Sequence, residues 1–113
     1  MQPLKQKDMV VHFKQNYLQK MYQTGTSTEK KHRFQPEIIR KYIRVVDIMI
    51  SQPDVIALMK YNSLNYEKLK GNKAGLSSVR VNDQYRIEFE ETIVENQTVA
   101  TVCCITELSN HYK

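Results

Sequence analysis

Residues 77–91 read SSVRVNDQYRIEFEE. Two runs of alternating apolar and polar residues flank Asn82-Asp83-Gln84, the pattern of an antiparallel hairpin. Its register follows from the requirement that apolar residues share a face. An odd, three-residue loop at Asn82, Asp83 and Gln84 sets Val81 opposite Tyr85, Val79 opposite Ile87 and Arg80 opposite Arg86. A two-residue Asn82-Asp83 turn would set Val79 against Arg86 and mix the faces, so the odd loop is preferred. Two arginines then share one side of the sheet. Like charges directly opposite one another destabilise a strand pair, so the pair asks for a compensating anion, which a nucleic-acid phosphate, Glu88 or Glu67 would supply.

Downstream, residues 98–108 (TVATVCCITEL) are apolar at nearly every position, which suits a central strand covered on both faces. Upstream, Gln35-Pro36 opens the clearest helix, because proline is tolerated in a first helical turn. Ile38, Ile39, Tyr42, Val45, Val46 and Met49 then recur every three or four residues, giving a stripe that packs on a sheet. The opposite side carries Arg40, Lys41 and Arg44, either a solvated ridge or an RNA-phosphate contact. Pro53 ends the helix, and Asp54 is placed to cap a short further one through Met59. Nearer the start, Met9 to Phe13 reads as a strand. Tyr17, Leu18, Met21 and Tyr22 fall at helical spacing before Gly25, a left-handed cap. Residues 24–33 are polar and read as a mobile connection.

The expected architecture is therefore α+β: an N-terminal strand and two helices packed on an antiparallel sheet of about four strands. With 113 residues, the chain has room for one compact domain, taken as residues 1–113. No apolar run approaches the roughly 20 residues needed to cross a bilayer, and MQPLKQKDMV lacks the hydrophobic segment of a secretory signal. A cytoplasmic protein without a membrane partner is expected. Cys103 and Cys104 are adjacent and read as packed free thiols. Residues 1–44 hold ten Lys/Arg against three Asp/Glu, a net of +7, whereas the remainder holds seven against nine, a net of −2. That asymmetry fits attraction to a polyanion.

Taken together, NSLNYEKLKGNKAGLSSVRVNDQYRIEFEE (62–91), the closing ITELSNHYK (105–113) and the helical FQPEIIRKYIRVVDIM (34–49) resemble the HigB toxins of the RelE/ParE superfamily. The motif is a strand ending in Leu69-Lys70-Gly71, Gly75 before the next strand, then Ser78-x-Arg80-Val81-Asn82-x-x-Tyr85-Arg86-Ile87, and a terminal histidine. The resemblance implies a RelE-like fold and a toxin of a type II toxin-antitoxin system that cleaves messenger RNA on the ribosome. It implies no cofactor and no metal. Its partners would be the ribosome, its message and a helix-turn-helix antitoxin of the HigA type, with the free toxin a monomer. A ParE-like inhibitor of gyrase and a non-catalytic RNA-binding module are the competing classes.

Cleavage without a metal needs a base for the ribose 2′-hydroxyl, cations around the phosphate and an acid for the leaving 5′-oxygen. By resemblance, Glu67 is the base, where some HigB proteins place a histidine. Arg86 is the phosphate arginine and His111 the acid, since an imidazole titrates near neutrality. Lys70, Lys73 and Arg80 are further phosphate ligands, and Tyr112 is an aromatic able to stack on a base. Ser109-Asn110 stands where HigB relatives carry an Asp-Tyr pair. In a fully extended strand Glu67 and Lys70 would point to opposite faces.

Overall fold

The computed structural model describes residues 8–27, 29–94 and 99–110. The elements run β1 (Asp8–Phe13), α1 (Asn16–Thr24), α2 (Pro36–Ser51), α3 (Val55–Met59), β2 (Glu67–Lys68), β3 (Ser77–Arg80), β4 (Arg86–Ile93) and β5 (Val99–Ser109), joined in places by single 3-10 turns. All five strands form one sheet in the order β1-β5-β4-β3-β2. The sheet is mixed, because β1 lies parallel to β5 while every other neighbouring pair is antiparallel. The expected antiparallel four-strand sheet thus becomes five strands with one parallel edge. Alternation within MVVHF identifies a strand but carries no direction, which is decided by where the helices return the chain.

The helices form as their residues dictate. Gly25 adopts φ +75° and its N–H closes α1 onto Met21 O at 3.0 Å. Proline sits in the first turn of α2. The Asp54 carboxylate accepts from Ala57 N at 2.9 Å and starts α3. The inward stripes are Tyr17, Leu18 and Met21 on α1 and Ile39, Tyr42, Val45, Val46 and Met49 on α2. They close over Val79, Ile87, Phe89, Cys103, Ile105 and Leu108 of the sheet, all buried. The polar connection after α1 is not featureless: His32, in a 3-10 turn, stacks on Tyr17 with ring centroids 3.7 Å apart.

The hairpin adopts the odd-loop register. Val79 faces Ile87, Arg80 faces Arg86, and Val81 N–H donates to Tyr85 O at 2.9 Å. Asn82 closes the loop by accepting from the N–H groups of Gln84 and Tyr85 through its side-chain oxygen.

Opposite this hairpin, β4 and β5 slip register between Glu88 and Phe89. Ile87 faces Leu108 and Phe89 faces Ile105, so Thr106 and Glu107 together span a single step. The bulge changes the phase of β5: Cys103, Ile105 and then Leu108 all reach the helices, which strict alternation forbids. The continuous apolar run thus serves a bulged strand rather than one covered on both sides. Val102 and Cys104 on the other face are only half-buried.

Burial holds several acidic protons in place. It pushes the Cys103 thiol from 9.0 up to about 12 and, as the first cause, the Tyr17 and Tyr66 phenols from 10.0 up to about 12, with Tyr42 raised further. An unfolded chain releases these protons from about pH 9 upward while the folded chain keeps them to about 12. Their stabilising contribution is complete below the unfolded values and is lost between them and the folded ones. The urea midpoint is therefore expected to fall steadily between about pH 9 and 11. A midpoint that held level over that range would show that these groups ionise equally in both states.

Candidate active site

Pairing places Glu67, Ser78 and Glu88 in one row across β2, β3 and β4, with Glu107 of β5 facing Glu88. Paired residues share a face, so this row lies on the side of the sheet away from the helices, with Arg80, Arg86 and Ser109 on the same side. A sheet face without helices is normally wet. Here the chain between β2 and β3 folds back over it, and Ser78, Arg86 and Glu88 are 1%, 6% and 3% exposed.

Among the described residues, Arg86 donates to the neutral oxygens of Ser78 and Asn65. Its Nε donates to Ser78 Oγ at 2.8 Å, and its Nη2 donates to Ser78 O at 3.3 Å and to Asn65 O. Asn65 can present that carbonyl because it adopts a left-handed conformation, φ 43°, at the end of a 3-10 turn. Asparagine tolerates this region better than most residues. Glu88, two residues along the same strand face, pairs with Lys73, whose Nζ lies 2.7 Å from Oε2. Lys73 reaches it from the Gly71–Lys73 turn, which Gly71 opens at φ +69°.

These groups border a cavity of about 290 Å³ lined by Leu69, Lys70, Asn72, Lys73, Ser78, Arg86 and Glu88. Three cations thus face one recess against one buried carboxylate. Such a site suits a group whose negative charge must be held away from bulk water. Among the described residues no three His, Cys, Asp or Glu side chains come together in a way that could hold a metal ion.

The expected site residues fall into four groups. Arg86, Lys70 and Lys73 meet at the cavity. Lys70 gets there because regular pairing ends at Lys68, after which Leu69 N–H bonds Leu76 O at 2.9 Å and the chain turns at Gly71. The opposed directions expected of Glu67 and Lys70 therefore do not arise. Glu67 is exposed on the edge strand, across from Ser78, and does not line the cavity. Arg80 turns elsewhere, to an ion pair with Asp83 and a second recess against α2. His111 and Tyr112 lie outside the described residues; Ser109, two positions before His111, faces Arg86.

Sequence reasoning missed Glu88, Ser78 and Asn65 as builders of the site. In the sequence Glu88 reads only as a counter-charge for the arginine pair, although its position two residues after Arg86 places it on that face. Asn65 carried no local signal. Replacing Lys73 with methionine removes the ammonium from a carboxylate only 4% exposed, and we expect a loss of about 1–3 kcal/mol, below the range for a fully buried pair because Lys73 itself is 32% exposed. Urea unfolding measures it, and Lys73→Met/Glu88→Gln should recover part of the loss; an unchanged single variant would show that other contacts carry Glu88.

Helices on one face of a five-strand mixed sheet, with a cation-lined recess on the other, define a RelE-like toxin fold. Two solved structures share it: a YoeB/ParE toxin from Agrobacterium tumefaciens (TM-score 0.50, 15% identity, covering 92% of this chain and all of that one), and a YafQ variant from E. coli (TM-score 0.51, 11% identity, 94% of each). The family described as RelE-like toxin of type II toxin-antitoxin system HigB matches residues 11–102. Toxin HigB-1 of Vibrio cholerae serotype O1 is 31% identical over 83 residues, 73% of this chain and 83% of that protein. The chain belongs to the HigB-like toxin family of type II toxin-antitoxin systems.

Proposed function

We propose that this chain is a ribosome-dependent endoribonuclease that cuts messenger RNA without a metal ion and so inhibits translation. The observation that carries this reading is Arg86, buried and oriented by Ser78 and Asn65 at a recess shared with Lys70 and Lys73. A cleaved phosphodiester gains negative charge on its non-bridging oxygens, and donors fixed before the reaction stabilise that charge best. Arg86 and Lys70 bind the scissile phosphate. Glu67 removes the 2′-hydroxyl proton, the 2′-oxygen attacks phosphorus, and the bond to the 5′-oxygen breaks as His111 protonates it. Lys73 and Glu88 keep the recess in shape, and Tyr112 stacks on a base beside it.

The protein acts in the cytoplasm as a single domain, is a monomer when free, and is restrained by a helix-turn-helix antitoxin of the HigA type. No helix among the described residues is long and apolar enough to cross a membrane.

The test is induction in a growing culture with transcript ends mapped, with and without blocked translation initiation. New ends inside translated codons, seen only while ribosomes engage, are the expected result. Intact transcripts with DNA damage would instead favour gyrase inhibition, and intact transcripts alone a binding module.

A further inference from the structure

A second recess, of about 190 Å³, lies where α2 meets the start of the β3–β4 loop, and Lys41, Arg44, Ser63 and Arg80 edge it. Its apolar lining is Val45, Leu64 and Val81, all buried, with Ile48 half-buried. We propose that it binds a second phosphate of the RNA strand, flanking the one held at Arg86; this rests on the reading of RNA as the substrate.

Three observations carry the assignment. The first is charge: Lys41, Arg44 and Arg80 face one small recess, and no carboxylate lines it. Lys41 pairs with Glu37 at 3.5 Å and Arg80 with Asp83, but those carboxylates are 64% and 93% exposed. Ion pairs so open to solvent are weak, so a phosphate can displace them. Arg44 has no acidic group within 4.0 Å among the described residues. The second is ligand chemistry. Two guanidinium forks match the oxygens of a phosphate in paired hydrogen bonds, a lysine adds charge, and the Ser63 hydroxyl adds a donor.

The third is continuity. Arg80 is directly across the strands from Arg86, so their β-carbons are about 5 Å apart. Arg86 borders the Lys70 recess and Arg80, paired with Asp83, borders the one against α2, so the two facing arginines join the two sites through the β3–β4 hairpin. The like-charged pair, unfavourable for the hairpin by itself, is thereby explained as two stations on one polyanion. Along the basic ridge of α2, Lys41 borders this recess, Arg44 borders both it and a neighbouring groove, and Arg40 borders only that groove, with Ile43 and Asp47.

The experiment uses the purified chain and a short oligoribonucleotide, 2′-O-methylated throughout so that it cannot be cut, with binding followed by fluorescence anisotropy across a salt series. Arg44→Glu should weaken binding on the order of tenfold and reduce the slope of log affinity against log salt by about 0.7, the contribution of one phosphate contact on a single strand. Arg44→Gln should give a smaller loss in the same direction. Lys20→Glu, an equal charge change at an exposed site on α1, should shift affinity less than about twofold. Thermal melts confirm that each variant is folded. Equal losses at Arg44 and Lys20 would reduce the effect to net charge and overturn the site, as would an Arg44→Glu variant with unchanged affinity. Were the parent chain to bind this oligonucleotide with the expected Arg44 dependence yet leave messages uncut on ribosomes, the nuclease reading would fall and the second phosphate site would stand.

Discussion

Arg86→Lys should cut messages about 10²–10³-fold more slowly than the parent protein, although the charge at the position is kept. A guanidinium differs from an ammonium in shape and in its number of fixed donors. In Arg86 those donors are already assigned: Nε to Ser78 Oγ and Nη2 to the carbonyls of Ser78 and Asn65. They orient the guanidinium at the recess before any phosphate arrives. A lysine there cannot reproduce the fork, so the cation loses its fixed position and buried oxygens lose charged donors. A stability loss of about 1–3 kcal/mol should accompany the change. Single-turnover cleavage on programmed ribosomes and a thermal melt separate the two effects. Ser78→Ala offers a milder check, since it removes one orienting bond and keeps the arginine. Parental rates in both variants would remove Arg86 from the chemistry.

Glu67→Gln and His111→Gln should each lose about 10²–10⁴ in cleavage rate, the range expected when a proton-transfer group is neutralised or replaced. Glu67 is exposed on a two-residue edge strand, so its substitution should change stability by less than about 0.5 kcal/mol. The loss would then be catalytic rather than structural. Glu88→Gln supplies the contrast, because that carboxylate is buried and paired with Lys73, and its loss should register first in the melting temperature. Should Glu67→Gln keep the full rate while a folded Glu88→Gln is inactive, the base would be Glu88. A bell-shaped rate profile that loses its alkaline limb in His111→Gln is the matching sign for the acid.

Much of the architecture was legible in the residues because it depends on local periods. The α2 stripe from Ile39 to Met49, the Gly25 cap and the odd loop at Asn82 each follow from spacing along a few turns or two adjacent strands. The bulge at Thr106 was not legible, although its trace is there in hindsight: Cys103, Ile105 and Leu108 keep one face only if the phase slips once. The parallel pairing of β1 with β5 was equally hidden, since it joins segments about ninety residues apart in a 113-residue chain.

Composition and order along the chain determined that helices cover one side of a sheet and that Arg80 and Arg86 stand opposite each other, because burying apolar stripes leaves little choice of face. What only the tertiary structure decided is which cations share a recess. The fold-back of residues 65–73 buries Arg86 beside Lys70, Lys73 and Glu88, whereas Arg80 pairs with Asp83 and borders the recess that Lys41 and Arg44 line. That choice depends on a left-handed asparagine, a glycine turn and the end of a strand acting together in space, and charge interacts through distance in space rather than position in sequence.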